Sequence, residues 1–172
     1  MASLVLKNLF NRTTTQKDRR TRSRSSNKPS ATILIVDDSR TVVHMLKTAL
    51  TQAGYTTLAA ADGERGIQLA RSHRPDLILM DVIMPGINGF QATRLLRKDP
   101  TTSDIPIIII SGSEQATEKV WVMRLGANDF IPKPIERGPL FTKVEQILRE
   151  SELAKLHKLK ATENNHSDPL YD

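Results

Sequence analysis

The sequence predicts an α/β fold, a doubly wound parallel sheet, on three observations. Ile33-Leu34-Ile35-Val36, Leu77-Ile78-Leu79-Met80, Ile107-Ile108-Ile109-Ile110 and the shorter Phe130-Ile131 are compact apolar runs. Nearly continuous Val/Ile/Leu runs suit strands buried on both faces, which is the situation of a parallel sheet. Each run is followed by a stretch at helical spacing, giving five strand-then-helix units of about 20–25 residues, the rhythm of a sheet wound on both sides. Polar residues then sit at the carboxyl ends of the runs: Asp37 and Asp38, Asp81, Ser111 and Lys133. In open sheets of this kind ligands collect at that edge, so the fold would gather these five side chains into one pocket.

The elements follow in order. The first strand spans about 32–37. It feeds a helix capped by Asp38 or Ser39, whose apolar face is Val42, Met45, Leu46, Ala49, Leu50 and Ala53. Gly54 ends that helix, since glycine accepts positive φ. Thr56 to Ala60 forms the second strand, and Asp62-Gly63 turns into a helix ending near His73. Pro75-Asp76 opens the third strand, which closes at Asp81; Pro85-Gly86 and Asn88-Gly89 form a loop before a helix carrying Phe90, Thr93 and Leu96. Pro106 opens the fourth strand, and a fourth helix is predicted from Glu114 to Leu125, stopped by Gly126. A short fifth strand (about 128–132) precedes a fifth helix with Leu140, Val144, Ile147 and Leu148 on its inner face. Leu153, Leu156 and Leu159 prolong the helical pattern among Lys155, Lys158 and Lys160, either as a solvated overrun or as a surface for self-association or a partner. The last dozen residues read as frayed and polar.

Composition divides the chain into parts. Of 172 residues, 1–30 hold eight lysines and arginines against the single acid Asp18, so the whole excess of the +6 net charge lies there and the remainder is near neutral. Residues 1–30 therefore read as a basic, disordered arm, 31–150 as the folded domain and 151–172 as a helical extension and tail. There is no cysteine, which excludes disulfides, thiolate metal sites and cysteine nucleophiles. No apolar run approaches the roughly 20 residues that span a bilayer, and the start of the chain makes a poor secretory signal. A soluble, cytoplasmic protein is expected. His44, His73, His157 and His166 lack metal-ligand spacing, and no glycine-rich phosphate loop is present.

Taken singly, each pocket residue has a plain alternative. An aspartate at a strand end is often a helix cap, Ser111 a turn residue, Phe130 core and Lys133 a surface lysine. Taken together and in order, Ile35-Val36-Asp37-Asp38-Ser39, Leu79-Met80-Asp81-Val82-Ile83-Met84-Pro85-Gly86-Ile87-Asn88-Gly89, Ile110-Ser111, Gly126-Ala127 and Lys133-Pro134 resemble the receiver domain of two-component response regulators, the CheY-like family. The resemblance covers Thr32 to Leu148. It implies a flavodoxin-like (βα)5 fold with strand order 2-1-3-4-5. It also implies a phosphoacceptor signalling protein rather than a conventional enzyme, acting only in its own phosphotransfer and dephosphorylation.

On that resemblance Asp81 takes a phosphoryl group from a histidine kinase of the chemotaxis type. Asp37, Asp38 and Asp81, with the backbone carbonyl of Ile83, hold Mg²⁺, whose charge offsets the repulsion of three carboxylates. Lys133 pairs with the phosphoryl oxygens, aimed by a cis bond to Pro134. Ser111 and Phe130 act as the switch that reshapes the face of the fourth helix, fifth strand and fifth helix, where a protein target docks. Two departures bear on this. Phe130 lacks a tyrosine hydroxyl, and the Ile83 side chain cannot hold a hydrolytic water, so slow self-dephosphorylation is expected.

Too few residues follow the fifth helix for an output domain, so a single-domain regulator signalling by phosphorylation-dependent protein binding is expected. A phosphorylation-dependent dimer is among the outputs the resemblance allows. Asp99-Pro100, Ser103 to Pro106, Lys119 to Trp121 and Gly126 to Phe130 are most similar to single-domain regulators of type IV pilus (twitching) and chemotaxis-like pathways. The alternative is a nucleic-acid or anionic-membrane binder working through the basic arm, with the receiver as its regulator.

Overall fold

The protein is represented by a computed structural model that describes residues 31–112, 120 and 123–164. The basic arm with the rival reading attached to it, Trp121 and the last eight residues lie outside the described residues, as does most of the helix expected at 114–125. Five strands, β1 (Thr32–Val36), β2 (Thr56–Ala60), β3 (Leu77–Asp81), β4 (Ile107–Ser111) and β5 (Asp129–Pro132), form one sheet in the order β2-β1-β3-β4-β5. All neighbours are parallel, with Ile33 level with both Thr57 and Leu77, and Ile110 level with both Asp81 and Ile131. Among the described residues, four continuous helices accompany the sheet: α1 (Arg40–Gln52), α2 (Gly63–His73), α3 (Gly89–Lys98) and α4 (Arg137–Asn164). The last is the fifth helix of the sequence reading.

The two-residue alternation of a strand divides the core. Leu34, Val36, Ile78 and Met80 face α2 and α3, while Ile33, Ile35, Leu77 and Leu79 face α1 and α4. Both faces of the sheet are thus covered, which is why its strands carry apolar residues at successive positions. Asp76 fixes the start of the sheet: its carboxylate accepts the Thr32 N–H at 3.0 Å and its own N–H donates to the Thr32 carbonyl.

Local chemistry sets the helix starts. Ser39, not Asp38, caps α1, accepting the Val42 N–H, so Asp38 is left to the pocket. Asp62 caps α2, and Asn88 caps α3 through a reciprocal box with Gln91. Two features depart from the sequence reading. Met45 and Ala53, assigned to the buried face of α1, are exposed, because the sheet takes up only the narrower stripe of Leu46 and Leu50. Arg74 ends α2 in the left-handed conformation usually given to glycine. The final helix continues past Leu148 to Asn164, as the helical spacing of Leu153, Leu156 and Leu159 led one to expect.

Arg97 ties the far end of α3 to the sheet. Its guanidinium donates to the carbonyls of Gly126, Ser103 and Ile105 and to the side-chain oxygen of Asn128. Burial lowers the Arg97 pKa, partly opposed by Asp104. Arg97→Met keeps the stem but withdraws the donors from these acceptors. Equilibrium urea unfolding should show a loss of about 2 kcal/mol; an unchanged midpoint would mean that water replaces the guanidinium at no cost.

Candidate functional site

The carboxyl ends of β1, β3, β4 and β5 converge on one pocket. Asp37 directly follows β1 and is 1% exposed; Asp81 closes β3 at 3% and Ser111 closes β4 at 2%. Lys133 follows β5. Its N–H donates to the Ser111 carbonyl at 2.7 Å, which locks the two strand ends together. The Lys133–Pro134 peptide bond is cis. The Lys133 ammonium reaches across the mouth, 2.9 Å from Asp81 Oδ1 and 3.1 Å from Asp37 Oδ2. Asp37 Oδ1 in turn accepts the Ser39 N–H at 2.8 Å, so both of its oxygens are oriented. Asp38 points from the exposed rim toward the other two acids.

One oxygen from each of Asp37, Asp38 and Asp81 lies within 4.8 Å of the others. An all-oxygen set of this size fits a hard divalent cation. The electrostatics agree with that demand for positive charge. Burial raises the Asp81 pKa, and Asp37 adds to the effect; the Lys133 ammonium and the Val82 N–H act in the opposite direction. Burial alone would lower the Lys133 pKa, but its hydrogen bonds to Asp81 and Asp37 outweigh burial and raise it. The lysine is held charged where three acids would otherwise repel.

The other expected site residues are placed as follows. Ile83, two residues beyond Asp81, turns its side chain outward and is 76% exposed at the rim. Phe130 is 8% exposed and belongs to the core cluster with Ile105, Ile107 and Ile109. Its neighbour Asp129 accepts the Phe130 N–H at 2.7 Å and pairs with Lys143 of α4 at 2.6 Å, joining β5 to the last helix. A cavity of about 310 Å³ opens beside Asp37 and Asp38, with Arg40, His44 and Lys47 along α1 forming a basic flank.

Sequence reading missed the role of Gly89 and treated it as a turn residue. A Cβ at this position would lie 2.0 Å from the Asp81 carbonyl oxygen and 3.0 Å from Val82 Cα, so α3 starts in direct backbone contact with the end of β3. The Gly89 N–H donates to the Val82 carbonyl at 3.0 Å. The Asn88…Gln91 pair was a readable sign of the cap above it; the contact itself leaves no mark in the local sequence.

Known proteins are similar to this chain in sequence and fold. The profile of the response regulator receiver domain matches residues 33–145. Over 118 residues the chain is 48% identical to Protein PilH of Pseudomonas aeruginosa, a match covering 69% of this chain and 98% of PilH. It is 39% identical over 120 residues to the response regulator PleD of Caulobacter vibrioides, covering 70% of this chain but only 26% of that longer protein. Among solved structures, the chemotaxis protein CheY4 of Vibrio cholerae superposes with a TM-score of 0.65 at 29% identity, covering 69% of this chain and 98% of CheY4. A CheY-like receiver domain protein of Methanospirillum hungatei gives 0.68 at 26%, covering 73% and 98%. The matched stretch is the one that builds the sheet and its acidic edge, and by it the chain belongs to the response regulator receiver domain family.

Proposed function

We propose that the protein is a phosphoacceptor whose Asp81 takes a phosphoryl group from a phosphohistidine donor and whose output is a phosphorylation-dependent change in protein binding. The observation that carries this reading is the buried Asp81 carboxylate, 2.9 Å from the Lys133 ammonium and grouped with two further acids. An Asp81 oxygen attacks phosphorus, the donor's N–P bond breaks, and the electron pair leaves with the imidazole. Lys133 lies where it can follow the incoming charge as a point cation. Asp37, Asp38 and Asp81, with the Ile83 carbonyl, would hold Mg²⁺, which when bound neutralises charge on the transferring oxygens.

The signal leaves through β4 and β5. Ser111, at the end of β4, would hydrogen-bond the new phosphoryl group, and Phe130 lies one strand over. A change there reaches the β5–α4 surface through Asp129 and Lys143. The kinase would be of the chemotaxis type and the output linked to pili. Support for that pathway comes from the 48% identity to PilH and from the segments around Asp99 and Gly126.

Incubation with Mg²⁺ and acetyl phosphate, read by intact mass, tests the reading. Wild type should gain one phosphoryl group, and Asp81→Asn or chelated samples none; no gain in wild type would sink it. Decay of the gain after donor removal tests the role of Ile83. The outward isoleucine offers no acceptor for a hydrolytic water, so Ile83→Asn should shorten the lifetime, and an equal lifetime would contradict that role.

A further inference from the structure

About two thirds of α4 lies beyond the family match. The family match ends at residue 145, whereas the helix continues to Asn164. It passes the sheet edge opposite the pocket, where Lys155 pairs with Asp76 at 3.4 Å and Lys158 with Asp104 at 3.0 Å. Those contacts turn one side of the extension toward the body. At 3.6 residues per turn, Leu153, Leu156 and Leu159 span about 120°, centred roughly 130° away from the mean direction of those lysines, with Leu159 the leucine nearest Lys155. They are 51%, 47% and 63% exposed, three large apolar groups in a row among exposed lysines and small residues.

The sequence around this stripe is self-complementary about its central leucine. Set antiparallel against an identical helix with Leu156 on the two-fold axis, Leu153 meets Leu159 and Glu152 meets Lys160. A two-fold contact repeats each pairing twice, as isologous interfaces require. In a parallel arrangement Glu152 would face Glu152 and Lys160 would face Lys160, which like charges oppose. We propose that the α4 extension is a homodimerisation element, pairing antiparallel with a second copy through Leu153, Leu156 and Leu159. The six leucines offer far less than the roughly 800 Å² per partner of a standard interface, so the dimer is weak and concentration-dependent. Because the contact lies at the edge away from Asp37 and Asp81, both pockets stay open in it.

The absence of native cysteine makes the register directly measurable. Leu156→Cys in the full chain should form a disulfide-linked dimer on mild oxidation, at about twice the 19.2 kDa of the monomer. Leu153→Cys alone should not, because two copies of that position lie about 9 Å apart along the helix axes, beyond disulfide reach. A mixture of Leu153→Cys and Leu159→Cys chains should cross-link. In sedimentation of the cysteine-free chain, Glu152→Lys or Lys160→Glu should each weaken association about tenfold, and the double exchange should restore it. These exposed substitutions lie outside the family-matched segment, and circular dichroism checks that the fold is kept. The proposal is overturned if Leu153→Cys cross-links as readily as Leu156→Cys. It is likewise overturned if neither exceeds the exposed control Thr41→Cys, or if the sedimenting mass stays monomeric at hundreds of micromolar.

Discussion

Gly89→Ala should unfold at a markedly lower urea concentration than wild type, with a loss of about 3 kcal/mol, from a change of one methyl group. The added Cβ would fall 2.0 Å from the Asp81 carbonyl oxygen and 2.9 Å from the Asp81 carbonyl carbon, atoms of the main chain with no flexible end to swing aside. Either α3 moves away from β3 or the chain around Asp81 moves away from α3. Both routes disturb the Gly89-to-Val82 hydrogen bond and the Asn88 cap beside it. Both also shift the nucleophile, and displacement on the order of 1 Å can cost about a hundredfold in rate. The variant should therefore be slow in acetyl phosphate labelling even under conditions where it is fully folded. Gly138→Ala is the matched control. Nothing lies within 4 Å of a Cβ there, and the position is in the first turn of α4, so the change should be neutral or slightly stabilising. Equal stability and labelling for wild type and Gly89→Ala would mean that α3 is free to slide along the sheet edge.

The contrast between these two glycines shows where sequence reading stops. The sheet was legible because its central strands β1, β3 and β4, buried on both faces, have little choice but Ile, Leu and Val, and polar residues at the strand ends mark one edge. Asp37, Asp81, Ser111 and Lys133 could be assigned to a common pocket on that logic alone, and the structure brings them together. Gly89 and Arg97 were not legible, since each acts through backbone atoms outside its own helix: the Asp81 carbonyl for one, the carbonyls of Ser103, Ile105 and Gly126 for the other. An arginine in the last turn of a helix reads as a solvated charge favoured by the helix dipole. Met45 fails in the opposite way. Its spacing fits the apolar stripe of α1, but only Leu46 and Leu50 become fully buried against the sheet, and Met45 is left 43% exposed. Periodicity gives the direction of a helix face; the width actually buried depends on the partner surface.

Lys133→Met should destabilise the metal-free protein by about 3 kcal/mol near neutral pH, and the loss should depend on pH and on Mg²⁺. The ammonium is bonded to two carboxylates that are 1% and 4% exposed, so its removal strands two buried negative charges close together. Asp81 has an escape, because burial already raises its pKa and Lys133 is one of the groups restraining that rise. For an acid whose pKa is raised on folding, the cost of ionisation is absent below the unfolded pKa and grows as pH rises through the folded one. The deficit of Lys133→Met should therefore be small in mildly acidic buffer and largest in mildly alkaline buffer. The raised pKa of Lys133 works from the other end. Its contribution in wild type is complete at neutral pH and is lost only as pH climbs through the folded lysine value. Millimolar Mg²⁺ should recover much of the deficit, since a divalent cation among Asp37, Asp38 and Asp81 replaces the missing charge. Asp81→Asn should move the other way, raising the midpoint in chelator by removing the ionisation cost. The double variant should fall short of the additive sum, because the two side chains share one interaction. Urea midpoints of the four proteins, with chelator and with Mg²⁺ at two pH values, decide the matter. A Lys133→Met midpoint that matches wild type throughout would mean that the lysine is solvated at the rim and that the three carboxylates are kept apart by something other than its charge.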